Sequence, residues 1–89
     1  MAGIRRSKLK SSLIIVRALW DEDAKVWVAS STDIPGLATE ARTLEQLGRK
    51  ILVMIEELIE LNGLDIDLPE IPIHIMAERT TRIANPRAS

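Results

Sequence analysis

Between Thr43 and Gly63 the apolar positions fall on one helical stripe. Leu44, Leu47, Ile51, Ile55 and Leu58 recur at i, i+3, i+7, i+11 and i+14, and Leu52, Met54, Ile59 and Leu61 widen the band. Glu45, Gln46, Arg49, Lys50, Glu56, Glu57 and Glu60 take the other side. Thr43 with Gln46 three residues on forms a capping box, and Asn62-Gly63 supplies a left-handed stop. The pattern therefore predicts a helix of about twenty residues, roughly 30 Å long, enough to span a small sheet. Val53 breaks the pattern: it points about 180° from Leu44, into the polar face. A single exposed valine is commonplace, but this one is also a candidate anchor for a partner.

Before the helix the period changes to that of strands. Leu13 to Trp20, LIIVRALW, is β-branched and apolar on both faces at its start, with Leu13 and Ile15 on one side and Ile14 and Val16 on the other. Asp21 to Lys25 is a polar turn, and Val26 to Thr32 is the returning strand of a hairpin. A two-residue loop at Asp23-Ala24 would set Trp20 opposite Trp27 as a cross-strand pair, whereas a five-residue loop would put them on opposite faces; the pair is the favoured reading. The Asp21, Glu22, Asp23 cluster lacks the spacing of a calcium loop, with Lys25, Val26 and Thr32 where ligands and a glycine would be needed. Asp33-Ile34-Pro35-Gly36 is a turn, and Leu37 to Arg42 leaves room for one short strand. After Gly63 a proline-bounded connection leads to a last strand, Ile73 to Glu78, with Ile73, Ile75 and Ala77 on one face and His74 and Met76 on the other. The order is strand, strand, short strand, helix, strand: an α+β domain with a small antiparallel sheet and one helix on one face.

One helix covers one face of such a sheet. The first and last strands are apolar on both, so the second face is expected to be buried by another copy of the chain, with Ile14, Val16, His74 and Met76 as candidate self-association residues. A homodimer or higher assembly would also help a chain of 89 residues, which buries only about 60% of its unfolded surface on folding.

Charge divides the chain into three. Residues 1 to 12 include Arg5, Arg6, Lys8 and Lys10 without an acid and are expected to be a flexible arm; residues 79 to 89 carry Arg79, Arg82 and Arg87 as a basic tail, of which Thr80 to Ser89 is expected to fray. Between them, residues 13 to 78 form the domain, with 5 bases against 13 acids, a net of −8. The basic ends suit weak, nonspecific contact with nucleic acid at most. Cysteine is absent, which excludes disulfide frameworks, thiolate metal sites and cysteine nucleophiles. No apolar run reaches the length of a membrane span and no signal-peptide core is present, so a cytoplasmic location is expected.

The segment Thr32-Asp33-Ile34-Pro35-Gly36-Leu37-Ala38-Thr39-Glu40-Ala41-Arg42-Thr43-Leu44-Glu45 resembles the pattern Pro-Asp-Leu-Pro-Gly-Cys-x-Thr-x-Gly-x-Thr-x-Glu of HicB-like antitoxins. Asp33, Pro35, Gly36, Thr39, Thr43 and Glu45 agree with it, whereas Thr32, Leu37 and Ala41 depart from it. The hairpin, with acids before an aromatic-rich strand, is also similar to that family, above all to its short stand-alone domains. The resemblance covers roughly residues 13 to 78 and implies a partial ribonuclease-H-like fold. It further implies that the chain masks a HicA-type toxin, a small basic RNA-cleaving protein. Many HicB-like proteins add a C-terminal DNA-binding module; the eleven residues after Glu78 are too few for one, so operator binding is not expected.

Catalytic chemistry finds little support. His74 is the sole histidine and sits within a strand, where a structural or interface role is favoured over a base or ligand. Asp65, Asp67 and Glu70 lie in a solvated loop, and two-metal hydrolysis would need carboxylates converging on strands, which hold Arg17, Ser30 and apolar residues instead. Gly36, Gly48 and Gly63 read as a turn, a close-packing helix position and a cap, so no phosphate loop is present. The expectation is a non-enzymatic binding domain with no cofactor or metal. An acidic body suits rapid capture of a basic partner, and the candidate contacts are Asp33, Val53, Glu56, Glu57 and Glu60. The alternative is a stand-alone homo-oligomeric scaffold or ligand-binding module.

Overall fold

A computed structural model describes residues 13–88; the basic arm over residues 1–12 lies outside the described residues. Strands β1 (Ile14–Asp21), β2 (Val26–Ser30) and β3 (Ala38–Ala41) form an antiparallel meander, α1 (Leu44–Asn62) returns across one face, and β4 (Ile73–Glu78) adds itself beside β1. The sheet order is β3-β2-β1-β4. The sheet is mixed rather than wholly antiparallel, because β4 runs parallel to β1. The cause is topological: after a three-strand meander β3 runs with β1, and a helix that reverses the chain makes β4 run with both.

The local signals act as their residue types dictate. Thr43, in an extended conformation, accepts the Gln46 N–H on its hydroxyl at 3.1 Å, which satisfies one of the orphan donors of the first helical turn. At the other end Gly63 takes φ 60°, its N–H bonds Glu60 O, and Leu64 N–H bonds Ile59 O, a Schellman stop that folds Leu64 back into the core. Leu37 N–H closes the Ile34-Pro35-Gly36-Leu37 turn on Ile34 O at 3.2 Å, with proline at its second position and Gly36 at φ 87° in the third. That turn drives Ile34 and Leu37, both buried, into the core.

Trp20 does lie opposite Trp27, with ring centroids 5.4 Å apart in an edge-on arrangement. The ladder closes one pair before the two-residue loop anticipated, at Asp21↔Val26, leaving Glu22 to Lys25 as the turn with the same register. Asp21 builds this turn itself: its Oδ1 accepts the N–H groups of Asp23 and Ala24, and its carbonyl accepts that of Lys25, which sits at φ 58°. Asp21 is thus explained by backbone satisfaction.

The core lies between α1 and one sheet face. Leu47, Ile51 and Ile55 pack over Ile14, Val16 and Ala18 of β1, Ala29 of β2 and Ala41 of β3, closed at the edges by Ile34, Leu37 and Leu64. Burying each large aliphatic side chain here contributes about 1.5–3 kcal/mol. This corrects two of the candidate self-association residues: Ile14 and Val16 are 0% exposed and lie beneath the helix. Ladder partners share a face, so Ile14 and Val16 go with Ile73 and Ile75, whereas His74 and Met76 go with Ile15 and Arg17 on the uncovered side. Gly48 is also corrected, since a Cβ there would meet nothing within 4 Å and close packing does not explain it. No helix among the described residues is long and apolar enough to cross a membrane.

Candidate functional site: an acidic helix ridge and an open sheet face

Two surfaces remain once the core is formed. The first is the outer side of α1. Val53 is 58% exposed, and Glu56, Glu57 and Glu60 project beyond it, all exposed. Beside Val53 a shallow groove runs along the β3 side of the helix, lined by Thr39, Arg49, Lys50, Met54 and Glu57. Its two cations are already engaged: Arg49 lies 3.8 Å from Glu45, and Lys50 Nζ donates to Glu40 O at 2.8 Å. No ion pair within the described residues reaches Glu56, Glu57 or Glu60.

These three acids stand in an unfavourable place. They occupy the C-terminal half of the helix, at the negative end of its dipole, and the last turn contains no basic residue to offset them. Glu56 and Glu60 are also four apart and Glu57 and Glu60 three apart, so like charges face each other along the helix. Helix physics favours lysine or arginine here.

The second surface is the uncovered sheet face. Ile15 and Leu19 of β1 and Val28 of β2 are exposed there, and Met76 of β4 is half-buried. Arg17, Ser30, Glu40, His74 and Glu78 surround them. His74 lies on this face beside Ile15. Among the described residues no group of three or more histidine or acidic side chains is placed to hold a metal ion, and Asp65, Asp67 and Glu70 do not gather.

Asp33 is engaged in a structural bond. Its Oδ2 accepts the Ile15 N–H at 2.7 Å, while the Ser31 hydroxyl donates to Ile15 O at 2.6 Å. The two side chains replace the strand partner that β1 loses where β2 ends at Ser30. The structure thus brings Val53, Glu56, Glu57 and Glu60 onto one helix and leaves Asp33 in a turn.

Sequence reasoning missed a cluster at the hairpin tip. Trp20 Nε1 donates to Glu22 Oε2 at 2.5 Å, Glu22 pairs with Lys25, and the Arg79 guanidinium lies over the Trp20 ring at 4.7 Å and 4.0 Å from Glu22. The bond from Lys25, then that from Trp20, holds the Glu22 carboxyl below the usual glutamate range. Arg79, assigned by composition to a basic C-terminal tail, is seated against the domain. Nothing in a run of three scattered arginines distinguished it.

A family model matches residues 13–85, that of a domain of unknown function, DUF1902. The chain belongs to this family. The match runs past Glu78 and includes Arg79, in keeping with the contact that Arg79 makes with Trp20. The DUF1902 domain is also similar to a solved structure, the crystal structure of hypothetical protein TTHA1013 from the extremely thermophilic bacterium Thermus thermophilus. The two are 49% identical over 82% of this chain and 99% of that one, with a TM-score of 0.61. No curated protein matches this chain.

Proposed function

We propose that this DUF1902 domain is a non-catalytic, HicB-like protein-binding domain that masks a small basic HicA-type RNA-cleaving toxin in the cytoplasm. The observation that carries the reading is the acidic ridge of α1: Glu60 sits in the last turn, at the end where acids are least stable, Glu56 and Glu57 lie one turn earlier, and none of the three has an ion pair among the described residues. A basic partner would turn that local cost into attraction, and Val53 in their midst offers an apolar anchor of the kind that fixes an interface. The resemblance of Asp33 to Glu45 to the HicB pattern supplies the identity of the partner class.

The test pairs this chain with a purified small basic HicA-type RNA-cleaving protein. Mixed in equal amounts, the two are expected to form a stable complex in which RNA cleavage by the toxin is suppressed; cleavage unaffected by excess chain would refute the reading. RNA cleavage by the chain alone, abolished in His74→Ala, would overturn the non-catalytic part.

A second reading, a stand-alone homo-oligomeric scaffold or ligand-binding module, is favoured by the open apolar face of Ile15, Leu19, Val28 and Met76. A protein that self-associates and ignores the toxin would decide for it.

A further inference from the structure

The two edges of the sheet are treated differently. At the β3 edge, Lys50 reaches down from α1 and takes the Glu40 carbonyl, so a charged side chain occupies a position where an incoming strand would bond. At the β4 edge no such guard stands among the described residues. Pro72 O accepts the Ile14 N–H at 3.1 Å, and a parallel ladder continued from that bond directs the backbone groups of His74, Met76 and Glu78 toward β1. Those of Ile73, Ile75 and Ala77 therefore point outward.

Apolar side chains line the same edge. The helix backbone runs closest to β3 and β2, and on the β4 side α1 leaves a groove between Leu52, Ile55 and Ile59 and Pro69, Ile71 and Ile73 below. Leu52 is 50% exposed and Ile75 39%.

We propose that β4 pairs antiparallel with β4 of a second copy about a two-fold axis at Met76, joining two sheets into one continuous eight-stranded sheet with both helices on the same side. This sharpens the self-association reading and rests on it, but assigns the contact to an edge rather than to the open face. The charges select the register. With Met76 opposite itself, each His74 faces the partner's Glu78, an imidazole N–H against a carboxylate, and the arrangement occurs twice. In the same register Ile75 and the partner's Ala77 exchange their outward N–H and C=O groups, and the two open grooves come side by side. A parallel pairing would set the histidines against each other and leave both acids unpaired.

The experiment is sedimentation equilibrium of the full chain. His74→Glu is expected to weaken the dimer about tenfold by setting acid against acid, and His74→Glu combined with Glu78→Lys to restore it to within about threefold of wild type. Both positions are exposed, so folding is not at stake. Amide exchange supplies a second readout: Ile75 and Ala77 are expected to gain protection as the chain concentration rises. A chain that stays monomeric at millimolar concentration would overturn the proposal together with the self-association reading. A dimer indifferent to His74→Glu but broken by Leu19→Lys would overturn the edge alone and move the contact to the open face.

Discussion

Asp33 and Glu22 show what single carboxylates do in this domain. Asp33 stands in for a strand: without it the Ile15 N–H would lie at the start of β1 with no ladder partner. Asp33→Ala is therefore expected to cost about 1–3 kcal/mol in chemical denaturation, and Asp33→Asn, which keeps a carbonyl acceptor, less than about 1 kcal/mol. A partner-binding role would give the reverse emphasis, with Asp33→Asn harming the complex and sparing stability. Glu22 is linked to pH. Its folded carboxyl is depressed by Lys25 and Trp20, so its contribution is present above the ordinary glutamate pKa and is lost as pH falls through the lowered one. Trp20 fluorescence is expected to change on acidification below about pH 4.3, as its Nε1 loses a charged acceptor, and to stay flat over that range in Glu22→Gln.

At the level of elements, most of the architecture was legible because each element carries redundant signals. The helix is fixed by its stripe, the Thr43 cap and the Gly63 stop, and all three appear in the structure. What periodicity could not decide was the covered face of β1, since a strand apolar on both sides looks the same from either. The alanines hold the missing clue. Ala18, Ala29 and Ala41 lie under the helix, where small side chains let it approach, while the larger Leu19 and Val28 point away. Ile14→Ala is accordingly expected to cost about 2–5 kcal/mol, against under about 1 kcal/mol for its neighbour Ile15→Ala, in parallel denaturation curves. Gly48 offers the opposite case. It sits in the helix interior with open space where a Cβ would go, so Gly48→Ala should stabilise the fold by roughly 0.5–1 kcal/mol. The candidate site was less legible than the fold, because the Lys50 guard on β3 and the Arg79 contact with Trp20 join residues far apart in the chain.

For the whole molecule, the decisive quantity is where charge remains after the internal pairs are made. The domain between the basic ends carries a net −8, yet its helix cations are engaged with Glu45 and the β3 edge, so the field of the C-terminal half of α1 is left uncompensated. That arrangement costs stability and would speed association, and one substitution separates the two effects. Glu60→Gln removes the acid nearest the negative helix end and the one that faces both Glu56 and Glu57, so the free domain is expected to gain about 0.3–1 kcal/mol in thermal or chemical unfolding. The same change should slow association with a basic HicA-type partner, with the loss shrinking as added salt screens the ridge over the Debye length. Stopped-flow mixing at low and at physiological ionic strength measures it. If Glu60→Gln stabilises the domain and leaves the association rate unaltered at both salts, the ridge is an ordinary solvated helix face and no part of the proposed interface.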